Sequence, residues 1–119
     1  MTLLALDIGN TRLKWAEFHD GQIGARGAIF LAEVEHFVER AGFAGRMPDR
    51  VVGSHVANLV SKERIERQFA ALGRPVQWVV SSASACGVSN GYDEPTRLGT
   101  DRWAAMVAAW QRGYVPCIV

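Results

Sequence analysis

A short stretch near the N-terminus has the residue types and spacing to hold a phosphate. In LLALDIGNTRLKWAEF, Leu3 to Phe18, an apolar run is broken by Asp7, Gly9, Asn10 and Thr11. The chain then turns apolar again, with Lys14 just beyond the break. A plain hairpin accounts for Gly9 and Asn10, which tolerate unusual backbone angles. It does not account for Asp7, at the end of a strand that otherwise reads as buried, where an uncompensated carboxylate is costly. A phosphate loop accounts for both. The backbone N–H groups of Gly9, Asn10 and Thr11 would form a nest for phosphate oxygens. The Asn10 amide and Thr11 hydroxyl add donors, and Lys14 adds positive charge. Asp7 would hold a hydrated Mg²⁺, a hard cation that takes oxygen ligands. Neither the Gly-Lys-Ser/Thr phosphate loop nor GxGxxG occurs here. On the residues alone, the hairpin and the phosphate loop both stand.

A second group of polar residues lies far along the chain. Gly87-Val88-Ser89-Asn90-Gly91-Tyr92-Asp93-Glu94-Pro95 precedes Leu98-Gly99-Thr100-Asp101-Arg102-Trp103. Asp101 falls in the first turn of a predicted helix, where the partial positive charge of the helix end favours an anion. It suits a proton acceptor with Arg102 neutralising charge beside it. It equally suits a plain N-terminal charge next to a surface arginine. Tyr92 is either a substrate contact or a loop aromatic packed on its domain.

The elements that must position these groups follow from periodicity and turn signals. Leu3–Ile8 reads as a buried strand, Arg12–His19 as a second, and Gln22–Phe30 as a third after the Asp20-Gly21 hairpin signal. Together they predict an antiparallel three-strand meander. Leu31–Ala41 is predicted helical, with Leu31, Val34, Val38 and Ala41 on one face and Gly42 as its stop. A fourth strand is expected over Arg50–Val56. Ser61 is expected to cap a helix over Lys62–Leu72, with Ile65, Phe69 and Leu72 as its apolar stripe. A fifth strand spans Pro75–Val80. Ser81–Leu98 reads as a long polar loop, a feature that is often functional. A third helix runs from Gly99-Thr100-Asp101 to about Arg112. This order implies an α/β layer with the first strand central. Trp103, Met106, Val107 and Trp110 have helical spacing and fit a core or subunit interface.

Composition narrows the function classes. The 119 residues are 49% hydrophobic and 21% charged, with a net charge of +1. That gives no electrostatic ground for nucleic-acid or membrane binding. The longest apolar run, Trp103 to Trp110, is far short of the ~20 residues that cross a bilayer. Asp7 interrupts any signal-peptide pattern, so a cytoplasmic protein is expected. Cys86 and Cys117 are far apart and His19, His36 and His55 are scattered, which argues for thiols rather than a zinc site. Tyr114 to Val119 is an apolar β-type run with no polar tail. It reads as the first strand of a further unit, so residues 1–113 are taken as one domain and 114–119 as the opening of a second.

LALDIGNTRLKW resembles the first phosphate motif of the acetate and sugar kinase/heat-shock-70/actin superfamily. Together with the Tyr92–Pro95 and Gly99-Thr100-Asp101-Arg102 segments, it resembles more narrowly the type III pantothenate kinases, also called the Bvg accessory factor family. The resemblance runs along the whole chain and covers about the first half of a family member. It implies a ribonuclease H-like, actin-like domain with helices packed on a mixed sheet. It implies ATP-dependent phosphorylation of pantothenate to 4′-phosphopantothenate, the first step towards coenzyme A. ATP would be held along Asp7, Ile8, Gly9, Asn10, Thr11, Arg12, Leu13 and Lys14, with Mg²⁺ reached from Asp7 through water. Asp101 would be the proton acceptor. Tyr92, Gly99, Thr100, Asp101 and Arg102 would contact the substrate, with Thr100 standing where the family usually has alanine. The resemblance also implies a homodimer, and a monovalent cation (K⁺ or NH₄⁺) whose ligands lie beyond this sequence. The alternative is a non-catalytic transcriptional accessory protein that keeps the kinase fold.

Overall fold

A computed structural model describes residues 1–41, 47–56 and 59–113. The predicted stop at Gly42 and the predicted strand over 114–119 lie outside them. The chain forms two compact units, Met1–Trp78 and Val79–Val119.

In the first unit, β1 (Thr2–Ile8) carries Leu4, Leu6 and Ile8 at alternate positions, all buried on one face. The two-residue period of a strand then turns Asp7 to the other face, where it is exposed. The expectation of a carboxylate in a buried setting is therefore corrected. β2 (Arg12–His19) runs antiparallel to β1, pairing Asp7 with Lys14 and Ile8 with Leu13. Asp20 and Gly21 take φ of 49° and 83°. A two-residue turn with both residues left-handed matches the twist of the strands it joins. β3 (Gln22–Phe30) pairs antiparallel with β2, with a register shift between Ala16 and Phe18. β4 (Arg50–His55) lies parallel to β1, and β5 (Val76–Trp78) parallel to β4. The mixed sheet has the order β3-β2-β1-β4-β5.

Helical segments cover the apolar face of this α/β unit. The predicted helix over Leu31–Ala41 is in fact a 3-10 helix, Leu31–His36, followed by α1 (Phe37–Ala41). Val34 and Phe37 are fully buried, and the predicted Leu31, Val38 and Ala41 pack partly buried against the same core, so the tighter start adds Phe37 to the predicted face. α2 (Leu59–Ala71) contributes Ile65 and Phe69. It begins before Ser61, which is a buried residue inside the helix rather than its cap. The Phe37 ring sits 6.2 Å from that of Phe69 and 6.3 Å edge-on from that of Trp15. Gln68 of α2 reaches the junction between the 3-10 helix and α1. Its Nε2 donates to the Val34 carbonyl at 2.7 Å, and its Oε1 accepts from the Val38 N–H at 3.1 Å. The Val34 carbonyl also accepts the Phe37 N–H, so the Gln68 amide adds a second bond to that carbonyl and gives the Val38 N–H an acceptor where the helix type changes.

At the other edge, Gly53 lies across from Trp78. A Cβ on Gly53 would come within 2.6 Å of the indole, so only glycine lets that ring lie against the strand. Trp78 Nε1 donates to Glu66 at 2.6 Å, the Lys62 ammonium stands 5.3 Å from a Trp78 ring centroid, and His55 meets Trp78 edge-on at 5.3 Å.

The second unit replaces the predicted long loop with ordered structure. β6 (Ser84–Ala85) and β7 (Val88–Ser89) form a small hairpin turned by Cys86 and Gly87, with φ of 51° and 83°. A 3-10 helix, Pro95–Arg97, leads into α3 (Thr100–Gln111). Leu98 and Trp103 are buried, and the Ser81 hydroxyl donates to the Leu98 carbonyl at 2.6 Å. Gln111 Nε2 donates to the Cys86 carbonyl at 3.0 Å, tying the hairpin to α3.

Two outcomes follow. Gln68→Ala removes the partner of the Val38 N–H and one of the two bonds on the Val34 carbonyl, which lowers stability by about 1–2 kcal/mol, read as a drop in the urea midpoint. Burial first, and then the Lys62 charge, lower the His55 pKa below its ordinary 6.5, with Glu66 opposing. The unfolded chain then binds this proton more readily than the folded one. The stability His55 contributes is present above pH 6.5 and lost as pH falls through the lowered value. The urea midpoint of the wild type therefore falls more between pH 7.5 and pH 5.5 than that of His55→Gln.

Candidate functional site

The turn from β1 to β2 shapes a cleft. Gly9 N–H donates to the Arg12 carbonyl at 2.9 Å and closes the turn, while Leu31 N–H donates to the Thr11 carbonyl at 2.9 Å from outside. An open cleft of about 250 Å³ results, lined by Asp7, Gly9, Asn10, Thr11, Arg12 and Lys14. These predicted residues are brought together. Ile8 and Leu13, predicted beside them, have 0% exposure and face the core. Their side chains anchor the loop from beneath and do not line the cleft. The Gly9 N–H is spent on closing the turn, so the donors that remain for an anion are those of Asn10 and Thr11.

Sheet register explains why the charged groups share one side. Asp7 pairs with Lys14 on β2 and with Ser54 on β4, so the three side chains project from the same face in neighbouring rows. Ser54 is only 9% exposed, and the sequence did not single it out. Its proximity to Asp7 depends on a parallel pairing between distant segments. The local signal that would have found it is a serine in a strand of suitable register. Among the described residues, no cluster of three or more His, Cys, Asp or Glu could hold a metal ion. Asp7 is a single exposed carboxylate at the cleft wall.

The second unit arranges the other predicted residues. Asp101 lies in the first turn of α3, and its Oδ1 accepts the Arg102 N–H at 2.8 Å. A Cβ on Gly99 would lie 2.8 Å from that same oxygen. Gly99 has φ −56° and ψ 136°, angles that any residue adopts, so a side chain there would meet only the exposed, rotatable Asp101 carboxylate. Buried Trp103 anchors the turn, while Asp101 and Arg102 are exposed. Tyr92 is 46% exposed, and its N–H is held by Asn90 Oδ1 at 3.0 Å. Asn90 also donates to the Pro95 carbonyl at 3.0 Å, so one side chain braces the loop that presents Tyr92.

An α/β unit with an anion-suited cleft at a strand turn, followed by a helix opening on Gly-Thr-Asp-Arg, narrows the class of protein. The family model described as type III pantothenate kinase matches residues 3–119. The type III pantothenate kinase of a Polaromonas species is 42% identical over 128 residues, covering 100% of this chain and 50% of its own length. That of Acidovorax ebreus is 47% identical over 116 residues, covering 94% of this chain and 45% of its own. A solved structure of the PPX-GPPA enzyme of Aquifex aeolicus aligns with 66% of this chain and 36% of its own at a TM-score of 0.40 and 16% identity. The chain belongs to the type III pantothenate kinase family, and it spans about half the length of the curated relatives it matches.

Gly99→Ala checks the packing against Asp101. The methyl group displaces the carboxylate from the Arg102 N–H, so the Arg102 amide proton moves upfield and the Asp101 carboxyl carbon shifts, while the other α3 amide signals stay in place.

Proposed function

We propose that this chain supplies one wall of the ATP site, and the segment bearing the proton acceptor, of an ATP-dependent pantothenate kinase. The product would be 4′-phosphopantothenate, the first intermediate on the way to coenzyme A. The carrying observation is the single cleft that gathers Asp7, Asn10, Thr11, Arg12 and Lys14 in a chain of this family. We read the fold as ribonuclease H-like and actin-like, a reading supported by the mixed sheet with β1 at its centre.

In this reading the N–H groups of Asn10 and Thr11 and their side chains receive phosphate oxygens. Arg12 and Lys14 balance charge on the polyphosphate. Asp7 suits a hydrated Mg²⁺, because that ion keeps most of its waters and binds through one or two carboxylates plus phosphate oxygens. When bound, Mg²⁺ supplies charge neutralisation at the transferring phosphoryl group. Asp101 accepts the proton of the pantothenate hydroxyl as its oxygen bonds to the γ-phosphorus and the bond to the β-phosphate oxygen breaks, releasing ADP. The Arg102 N–H contact holds the carboxylate in one orientation for that step. Arg102 and Tyr92 orient the substrate. In this reading the protein acts in the cytoplasm, and among the described residues no helix is long and apolar enough to cross a membrane. It works as a homodimer, and exposed Trp110 on α3 fits an interface there.

The full natural protein is expected to release ADP only when ATP, pantothenate and Mg²⁺ are all present. Asp101→Asn lowers kcat by at least ~100-fold, the scale of a lost general base, with an unchanged melting temperature. Turnover retained in Asp101→Asn overturns the base assignment.

A further inference from the structure

One cleft residue, Arg12, rests against an aromatic side chain. Its guanidinium carbon lies 5.1 Å from the centroid of the Phe30 ring. Phe30 ends β3 and pairs in register with Arg12, so both project from the face opposite the core. The neighbouring row, Ile29 paired with buried Leu13, takes the core side. Phe30 is 52% exposed and packs towards Arg12 instead. Its placement is fixed to the loop through the backbone, because the next N–H, that of Leu31, donates to the Thr11 carbonyl. Arg12 lines the Asp7–Lys14 cleft and also a neighbouring cleft of about 220 Å³ with Ala28, Ile29 and Phe30. It therefore forms the wall between the two. Lys14, the other cation, lies across from Ala28, whose side chain is too small to hold an ammonium in the same way.

We propose that Phe30 is a positioning residue for nucleotide binding: its ring is the platform that holds the Arg12 guanidinium over the phosphate cleft. A guanidinium free to sweep solvent loses conformational freedom each time it engages a phosphate. One already resting on an aromatic face loses less, and it keeps its edge donors available. The ligand class is the polyphosphate of a nucleoside triphosphate, so the proposal rests on the ATP assignment made above.

The test is steady-state kinetics and calorimetric ATP binding on the full natural protein, with Phe30→Leu, Phe30→Tyr, Arg12→Gln and the Phe30→Leu/Arg12→Gln double variant. Phe30→Leu is expected to raise the KM and Kd for ATP about two- to five-fold, equivalent to about 0.5–1 kcal/mol, with kcat and the KM for pantothenate unchanged. Phe30→Tyr keeps the wild-type values. In the Arg12→Gln background, Phe30→Leu adds nothing. Phe30→Leu with wild-type ATP affinity overturns the proposal, as does the same rise in both backgrounds, which would mark a merely structural effect. A wild type that neither binds ATP nor releases ADP overturns the kinase assignment, and the proposal with it.

Discussion

The pleat of β1 is the constraint on which the cleft depends. Leu4, Leu6 and Ile8 face the core and Asp7 faces away, from a strand that neighbours both β2 and β4. Slipping the pairing by one residue would carry Asp7 into the core and bring the apolar residues out. Each of the three is worth about 1.5–3 kcal/mol when buried, and a carboxylate placed among Phe37, Ile65 and Phe69 would add its own desolvation cost. The apolar side of the strand thus specifies the direction of the acid on the other side. Lys14 and Ser54 inherit their places through the same register.

The strands were legible because their signals are local. A continuous apolar run marks β1, and Asp20-Gly21 marks the turn into β3 by chemistry confined to two residues. The first helix was legible only in outline. Its apolar spacing was read at 3.6 residues per turn, which selects Val38 and Ala41, both packed partly buried against the core, but passes over Phe37. The 3-10 start has three residues per turn, which puts Leu31, Val34 and Phe37 in one line. What favours that geometry is not written in the segment: Gln68, far along the chain, supplies hydrogen bonds at the junction. The second unit hid its structure similarly. Strands of two residues carry no period to detect, and the braces on Tyr92 come from Asn90, which reads in sequence as an ordinary turn residue.

The candidate residues divide along the same line. Asp7, Asn10, Thr11 and Lys14 could be picked out because their residue types at short spacing are those a phosphate loop would use, and the structure brings them to one cleft. Ile8 and Leu13 entered by contiguity, and orientation removes their side chains from the cleft. Ser54 and Phe30 could not be picked out, because each stands beside the loop only through pairing with another strand.

The turn between β1 and β2 is held from several directions: by the Gly9–Arg12 hydrogen bond within it, by Leu31 from outside and by Ile8 and Leu13 from below. Such a loop has little slack, so its ordering cost falls on folding and not on ligand capture. Binding of an anion at this cleft, as proposed above, would then resemble seating an ion in a rigid mould, with little backbone rearrangement. Looseness introduced at distant core positions, such as Phe37 or Phe69, would reach the ligand as weaker capture with every cleft residue intact.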